Sequence, residues 1–264
     1  MITFLGRTEC QLVLIHGGPG AIDSLHGLAE QLSKGIGVAE HTQTQYTIED
    51  LVEELKQDLS SLTHKVTILG HSWGAWLAGI FAQRYPELVE NVILVGCPPL
   101  NESYVSKIEE RRFERLTLKE KETFQTLLIN LADPYYADKD EALKHLGSLV
   151  EKADNYCLNP ELVSVEKTDG KMYDAIWQEA SRWRKEGKWE SIFNAIECPI
   201  YLIQGKYDPH PIVGVVEPLK PQGKIKEVYE LSKSGHSPFL EQYDSLMFCE
   251  LVIKLSEPLH NNGE

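Results

Sequence analysis

At 264 residues, with 42% hydrophobic and 25% charged side chains, the chain has the make-up of a soluble globular protein that can bury a core without a disulfide or metal staple. A net charge of −14 argues against a basic face for nucleic acid or an anionic membrane, and no apolar run approaches the roughly 18 residues of a membrane span. The five cysteines (Cys10, Cys97, Cys157, Cys198 and Cys249) are odd in number and lack CxxC or Cys/His spacing, so they read as free, mostly buried thiols; with no signal-peptide pattern, a cytoplasmic location is expected.

The chain opens on "ITFLG", the only length available before the first buried strand, so a sheet trimmed at that edge is expected. "QLVLI" (11–15) is a short apolar run stopped by "HGGPG". It reads as a buried parallel strand ending in a glycine-rich turn. Leu25, Leu28 and Leu32 stand at helical spacing in "SLHGLAEQLSKG" (24–35), with Gly35 as the expected C-cap. "IGVAE" is a weak strand. In "TIEDLVEELKQDLSSL" (47–62), Thr47 and Asp50 mark a helix start, and Leu51, Leu55, Leu59 and Leu62 form its apolar stripe. A strand at "KVTIL", a helix at "WGAWLAGIFAQRYP" and a strand at "NVILVG" (91–96) continue the alternation. This pattern predicts an α/β fold with a mostly parallel sheet and helices on both faces.

From about Pro98 to Glu197 the strand signal nearly vanishes, and charged amphipathic stretches such as "KDEALKHLGSLVEKADNY" predict helices. The α/β pattern resumes with a strand at "CPIYLIQGKYD", a short helix at "PIVGVVEPL", a strand at "KIKEVYELS" and a closing helix at "SPFLEQYDSLMFCELVIKLSEPL". The last residues, "HNNGE", are expected to fray. Residues 1–97 and 198–264 are thus expected to form one core domain. Residues 98–197 form an inserted helical cap, or lid, over the C-terminal ends of its strands.

"GHSWG" (70–74) sits where a strand gives way to a helix. Such a junction needs a sharp turn whose apex, Ser72, is held in strained geometry with its side chain lifted from the sheet. Gly70 and Gly74 suit a place where two backbones pass too closely for a Cβ. The apex also lies at a helix N-terminus, which favours negative charge. A serine hydroxyl needs a base to act as a nucleophile, and that base needs an orienting carboxylate. Asp208 in "YLIQGKYDPHP" and His236 in "VYELSKSGHSPFLE" follow later strands at the same sheet edge, in the chain order Ser, Asp, His.

Together, "HGGPG" at 16–20, "GHSWG", Asp208 and His236 resemble the α/β-hydrolase fold superfamily across the whole sheet domain. The resemblance implies Ser72 as nucleophile, His236 as general base and Asp208 as the residue holding the imidazole. It implies an oxyanion hole from the backbone N–H groups of Trp73 and Gly18. It implies no cofactor and no metal, and "HGGPG" matches neither nucleotide-phosphate motif. "HGGPG" with a tryptophan after the serine is similar to the prolyl iminopeptidase branch. That branch removes an N-terminal proline and holds the free amine with acidic cap residues, for which Glu179 and Glu190 are candidates by composition. The chain departs from the branch in the short segment "GIGVAEHTQTQYTIEDL", which lacks a D-x-R-G-x-G-x-S loop. The expected function is a serine hydrolase cleaving a small ester or amide through an acyl-enzyme, an N-terminal peptide residue being one version. The alternatives are a C–C bond hydrolase and a small-molecule binding or sensing protein on the same fold. The partner is a small molecule or short peptide, and the oligomeric state is not legible.

Other residues have plainer readings. His16 reads as a structural anchor of the glycine-rich loop. His71 is expected to point away from Ser72 and to take no chemical part. His210 could line the pocket, but surface or loop packing is the expectation. Cys97 reads as a buried small residue. Asp133 and Glu230 are the weaker rivals of Asp208. Phe113, Phe124, Tyr135, Tyr136, Trp177, Trp183 and Trp189 either line an apolar pocket or, for most, form the insertion's own core.

Overall fold

The structure, a computed structural model, describes residues 1–163 and 167–257, so the terminal "HNNGE" falls outside the described residues. The first half alternates as β1 (Ile2–Gly6), β2 (Leu12–Ile15), β3 (Ala21–Ile22), α1 (His26–Leu32), β4 (Gly37–His41), α2 (Ile48–Leu59), β5 (Val66–His71), α3 (Trp73–Arg84) and β6 (Val89–Val95). Helices α4 (Val105–Arg115), α5 (Leu118–Ala132) and α6 (Lys139–Asp154) follow, then the two-residue β7 (Lys167–Thr168), α7 (Gly170–Lys185) and α8 (Lys188–Asn194). The chain closes with β8 (Ile200–Gly205), α9 (Val213–Leu219), β9 (Ile225–Leu231) and α10 (Ser245–Ser256).

One sheet runs in the order β1-β4-β2-β5-β6-β8-β9. Its neighbours are parallel except β1, which pairs antiparallel with β4. Strand β1 is the edge strand, laid outside β4. Both faces are covered, which is why the central strands read as unbroken apolar runs rather than alternating ones. Successive side chains still go to opposite faces. Leu12, Leu14, Leu69, Ile93 and Val95 pack with α1 and α10, whereas Val13, Ile15, Ile68, Val92 and Leu94 pack with α2 and α3.

The start of α2 follows its sequence signal: the Thr47 side chain accepts from the Asp50 N–H at 3.1 Å. Two boundaries differ from expectation. Helix α1 ends at Leu32 with Ser33 in right-handed geometry, so Gly35 is not its cap. The closing helix begins at Ser245, not at Ser237. Residues Pro238–Leu240 form one 3-10 turn, and Glu241 and Asp244 turn back to accept backbone N–H groups from residues 233–235. That use of their carboxylates competes with helix and delays it.

The helical segment between β6 and β8 has two kinds of core. Phe113, Phe124 and Tyr136 pack among α4, α5 and α6 in a cluster of their own. Trp177, Trp183 and Trp189 instead join Trp73 and Trp76 of α3, with Trp189 stacked on Trp76 at 4.4 Å between centroids. Tyr135 is exposed. All five cysteines are free, and Cys10, Cys97 and Cys249 are buried. Among the described residues no helix is long and apolar enough to cross a membrane.

Candidate active site

Strand β2 lies between β4 and β5, so the chain leaves β2 toward one side of the sheet and later returns on the other. Crevices in open α/β sheets form at such a switch point, beyond the strand C-termini. Ile15 pairs with Gly70, so the loop after β2 and the turn after β5 start side by side. The former carries "HGGPG" and the latter carries Ser72.

Ser72 has φ 52° and ψ −122°, a strained conformation for a residue with a side chain, and its N–H donates to the Val95 carbonyl at 2.9 Å. Helix α3 begins at the next residue. The flanking glycines are required by contact. A Cβ on Gly70 would lie 2.2 Å from the Gly74 carbonyl oxygen, and one on Gly74 would lie 2.2 Å from that of Ile15. In the loop after β2, Gly17 is the residue pressed against the serine, since a Cβ there would meet Ser72 Cβ at 2.9 Å. Gly18, the predicted oxyanion donor, has φ 46° and follows directly.

Asp208 and His236 meet at the C-terminal ends of β8 and β9. The His236 Nδ1 lies 2.9 Å from Asp208 Oδ2. An ionised carboxylate only accepts, so this nitrogen carries the proton and Nε2 is left as the free acceptor. No hydrogen bond joins Ser72 to His236 among the described residues. Their backbones are linked through the neighbouring His71, whose Nε2 hydrogen-bonds the His236 carbonyl at 3.0 Å.

Asp208 is fully buried and collects more donors than one histidine supplies. Gln204 Nε2 donates to Oδ2 at 2.6 Å, and the His210 N–H donates to Oδ1 at 2.9 Å. His210 Nδ1 sits 2.8 Å from the same Oδ1. The His210 ring stacks on that of His236 with centroids 4.4 Å apart. His210 is therefore a buried part of the cluster, contrary to the expectation of surface or loop packing. Burial pushes the Asp208 carboxyl up, but the two histidines outweigh it and hold the group well below the usual carboxylate range. Burial pulls His236 down, and the Asp208 charge more than offsets this, leaving its pKa raised. His210, buried against the same pair, is lowered. Asp208, His210 and His236 also place one ligand atom each within 4.8 Å of one another, a spacing that could hold a metal ion. Both carboxylate oxygens and both Nδ1 atoms are engaged with each other, so the set is satisfied as a hydrogen-bonded network.

The supporting residues complete the frame. Trp73 Nε1 donates to Gln43 Oε1 at 2.8 Å, and Gln43 Nε2 donates to the His16 carbonyl at 3.0 Å. Gln43 thus ties the residue after the serine to the start of the glycine loop. It lies in the short connection from β4 to α2, where no motif marks it. His16 is buried and its pKa is lowered by desolvation to about 4, so it stays neutral as the expected anchor. His71 is lowered, chiefly by burial, to about 3, and it supports the His236 backbone rather than taking a proton. Cys97 is buried, and Asp133 and Glu230 are exposed. Glu179 accepts from the Ile48 N–H at the start of α2, and Glu190 accepts from Asn101 Nδ2. Both carboxylates have structural partners. A surface groove of about 670 Å³, lined by Gly6, Gly27 and Lys34 among others, shares no residue with the cluster.

A family model described as the alpha/beta hydrolase fold matches residues 11–243. The proline iminopeptidase of Heyndrickxia coagulans is 26% identical over 254 residues, covering 88% of this chain and 85% of that protein. The AB hydrolase superfamily protein YclE of Bacillus subtilis (strain 168) is 28% identical over 185 residues, covering 67% of this chain and 64% of YclE. A solved alpha/beta fold family hydrolase from Bacillus anthracis str. Sterne has a TM-score of 0.71 at 16% identity, covering 97% of this chain and 94% of that one, a likeness of fold.

Proposed function

Because the chain belongs to the α/β hydrolase fold family, we propose that it is a serine hydrolase that cleaves a small ester or amide through an acyl-enzyme formed on Ser72. The observation that carries this reading is the pairing of a strained serine at the head of α3 with an Asp208–His236 hydrogen bond at the same sheet edge. His236 Nε2 takes the Ser72 proton as Oγ attacks the carbonyl carbon, and returns it to the leaving group. Asp208 fixes the tautomer and stabilises the imidazolium. The backbone N–H groups of Trp73 and Gly18 stabilise the developing oxyanion, helped by the N-terminus of α3. Residues 98–197 act as a cap that excludes water from this edge.

Removal of an N-terminal residue from a short peptide is the specific version favoured by the proline iminopeptidase relatives. The amine would need an acidic partner beyond Glu179 and Glu190, whose carboxylates are already engaged. A small ester is therefore the simpler substrate class.

The test is intact mass after exposure to a fluorophosphonate, with Ser72→Ala and His236→Ala as controls. One adduct on Ser72, absent in both variants, is expected. Well-folded protein that takes no adduct would sink the reading and bring forward a binding or sensing role. With an adduct in hand, turnover of acyl esters against proline and amino-acid anilides separates esterase from aminopeptidase.

A further inference from the structure

The loop that carries His236 leaves the sheet at Leu231, and its buried backbone donors must find partners elsewhere. The His236 N–H donates to the Asp154 carbonyl at 2.9 Å, and the Ser237 N–H donates to Asn155 Oδ1 at 2.9 Å. Both acceptors lie at the C-terminal end of α6, in the helical insertion. The third donor, Gly235 N–H, goes to Glu241 Oε1 at 2.7 Å.

Glu241 is fully buried, yet no lysine or arginine pairs with it among the described residues. Its charge is met by backbone donors instead. Oε1 also accepts from the Tyr156 N–H at 2.7 Å, and Oε2 accepts from the Cys157 N–H at 2.6 Å. One carboxylate thus binds the histidine loop and the end of the insertion at once. Ionic hydrogen bonds of this kind are roughly twice as strong as neutral ones. The two segments also touch backbone to backbone, since a Cβ on Gly235 would lie 2.1 Å from the Asp154 carbonyl oxygen. Helix α4 locks the same point from behind. Arg112 makes a two-pronged contact to Asp154 at 2.8 and 2.6 Å, and Arg111 Nη1 donates to the Pro209 carbonyl beside Asp208 at 3.2 Å.

We infer that Glu241 and Asn155 are positioning residues for His236, coupling its loop to the end of α6 so that the two segments open and close as one unit. The inference rests on the serine-hydrolase reading for its catalytic consequence. Any motion that lifts the end of α6 withdraws His236 from Ser72, so the site is competent only while this part of the insertion is docked. Substrate entry must then use other elements of the insertion.

The test uses the full chain with Glu241→Gln, Asn155→Ala and Asn155→Asp. Glutamine keeps one acceptor oxygen but sets an NH₂ against an N–H donor, whereas Asn155→Asp keeps the acceptor that Asn155→Ala removes. Two quantities are read: the rate of fluorophosphonate labelling of Ser72 across pH, and hydrogen exchange in peptides spanning 152–158 and 233–242. His236 is faced by Asp208 and His210 from the β8–α9 connection, by His71 from β5, and by the Asp154–Arg112 pair from the insertion. Asn155 is neutral, so a change in the pH profile of Asn155→Ala reports displacement of His236 relative to these groups rather than a lost charge. Glu241→Gln and Asn155→Ala are each expected to slow labelling by about ten-fold or more. The acid-limb midpoint of Asn155→Ala is expected to fall, and exchange to rise in both peptides together. Asn155→Asp is expected to restore most of the labelling rate. Exchange that rises in 233–242 while 152–158 stays protected would overturn the coupling, as would labelling within about two-fold of the unaltered protein in both Glu241→Gln and Asn155→Ala. If the unaltered protein takes no label, the hydrolase reading fails on its own, and the exchange comparison still decides whether the segments open together. Should Glu241→Gln not fold, the Asn155 pair decides the positioning role.

Discussion

At the scale of single residues, the site turns on how much negative charge Asp208 presents to His236. Burial lowers the His236 pKa, and the Asp208 charge more than offsets this and leaves it raised; in the proposed hydrolysis His236 must be neutral to accept a proton. Activity should therefore rise with pH through a midpoint above that of an ordinary imidazole. Asp208→Asn removes the charge that stabilises the imidazolium, so the midpoint should move down. The wrong tautomer should also lower kcat by about four orders of magnitude. A pH profile of kcat/KM for both proteins checks the two statements together. His210 acts in the opposite sense. It shares Asp208 Oδ1 with its own backbone N–H and draws charge away from the His236 side. His210→Phe keeps a ring stacked on His236 and removes that side-chain donor. The acid limb should move up in pH; a midpoint that stays put or falls would show that His210 does not tune the pair.

At the scale of elements, the turn from β5 into α3 is set by close contact between backbones. Gly74→Ala forces a methyl onto the Ile15 carbonyl, where no flexible side chain can yield. A loss of about 3 kcal/mol is expected in denaturant unfolding, near the upper end of ordinary overpacking costs. Much of this element was legible in advance. The "GHSWG" motif names both its glycines and its apex, because a strand-to-helix turn admits few residue types. Gln43 was not legible. Its job, bridging the Trp73 indole and the His16 carbonyl, arises only because the connection from β4 to α2 passes beneath both. Gln43→Ala would leave the buried Trp73 indole N–H unpaired. A loss of about 1–3 kcal/mol is expected, read by thermal or denaturant unfolding.

At the scale of the molecule, the tryptophans show how the insertion is held. All five lie in one cluster, where Trp177, Trp183 and Trp189 of α7 and α8 close on Trp73 and Trp76 of α3. Helices α7 and α8 therefore share their core with α3 and the sheet, while α4, α5 and α6 keep a separate one. Trp189→Ala should cost about 3–5 kcal/mol, as expected for emptying a fully buried indole site. Intrinsic fluorescence should report the undocking of α7 and α8 from α3 in the same transition. A fluorescence change that clearly precedes loss of helical circular dichroism would mean that the insertion undocks before the sheet domain unfolds.

The sequence by itself determined the alternation of strands and helices, the sharp turn at Ser72, and the chain positions of Asp208 and His236 at strand ends. These features are local: hydrophobic period, glycine at a crowded turn and a polar residue after an apolar run can each be read from a few neighbours. The tertiary structure alone decided that His210 shares Asp208, that Gln43 braces Trp73, and that the closing helix starts late because Glu241 and Asp244 serve the His236 loop. Each of these is a hydrogen bond to a buried polar group, and its partner is whichever donor or acceptor the packed chain brings within about 3 Å. Hydrophobic pattern selects the face that is buried. It carries no information on which distant carboxylate will meet which backbone N–H once water has been excluded.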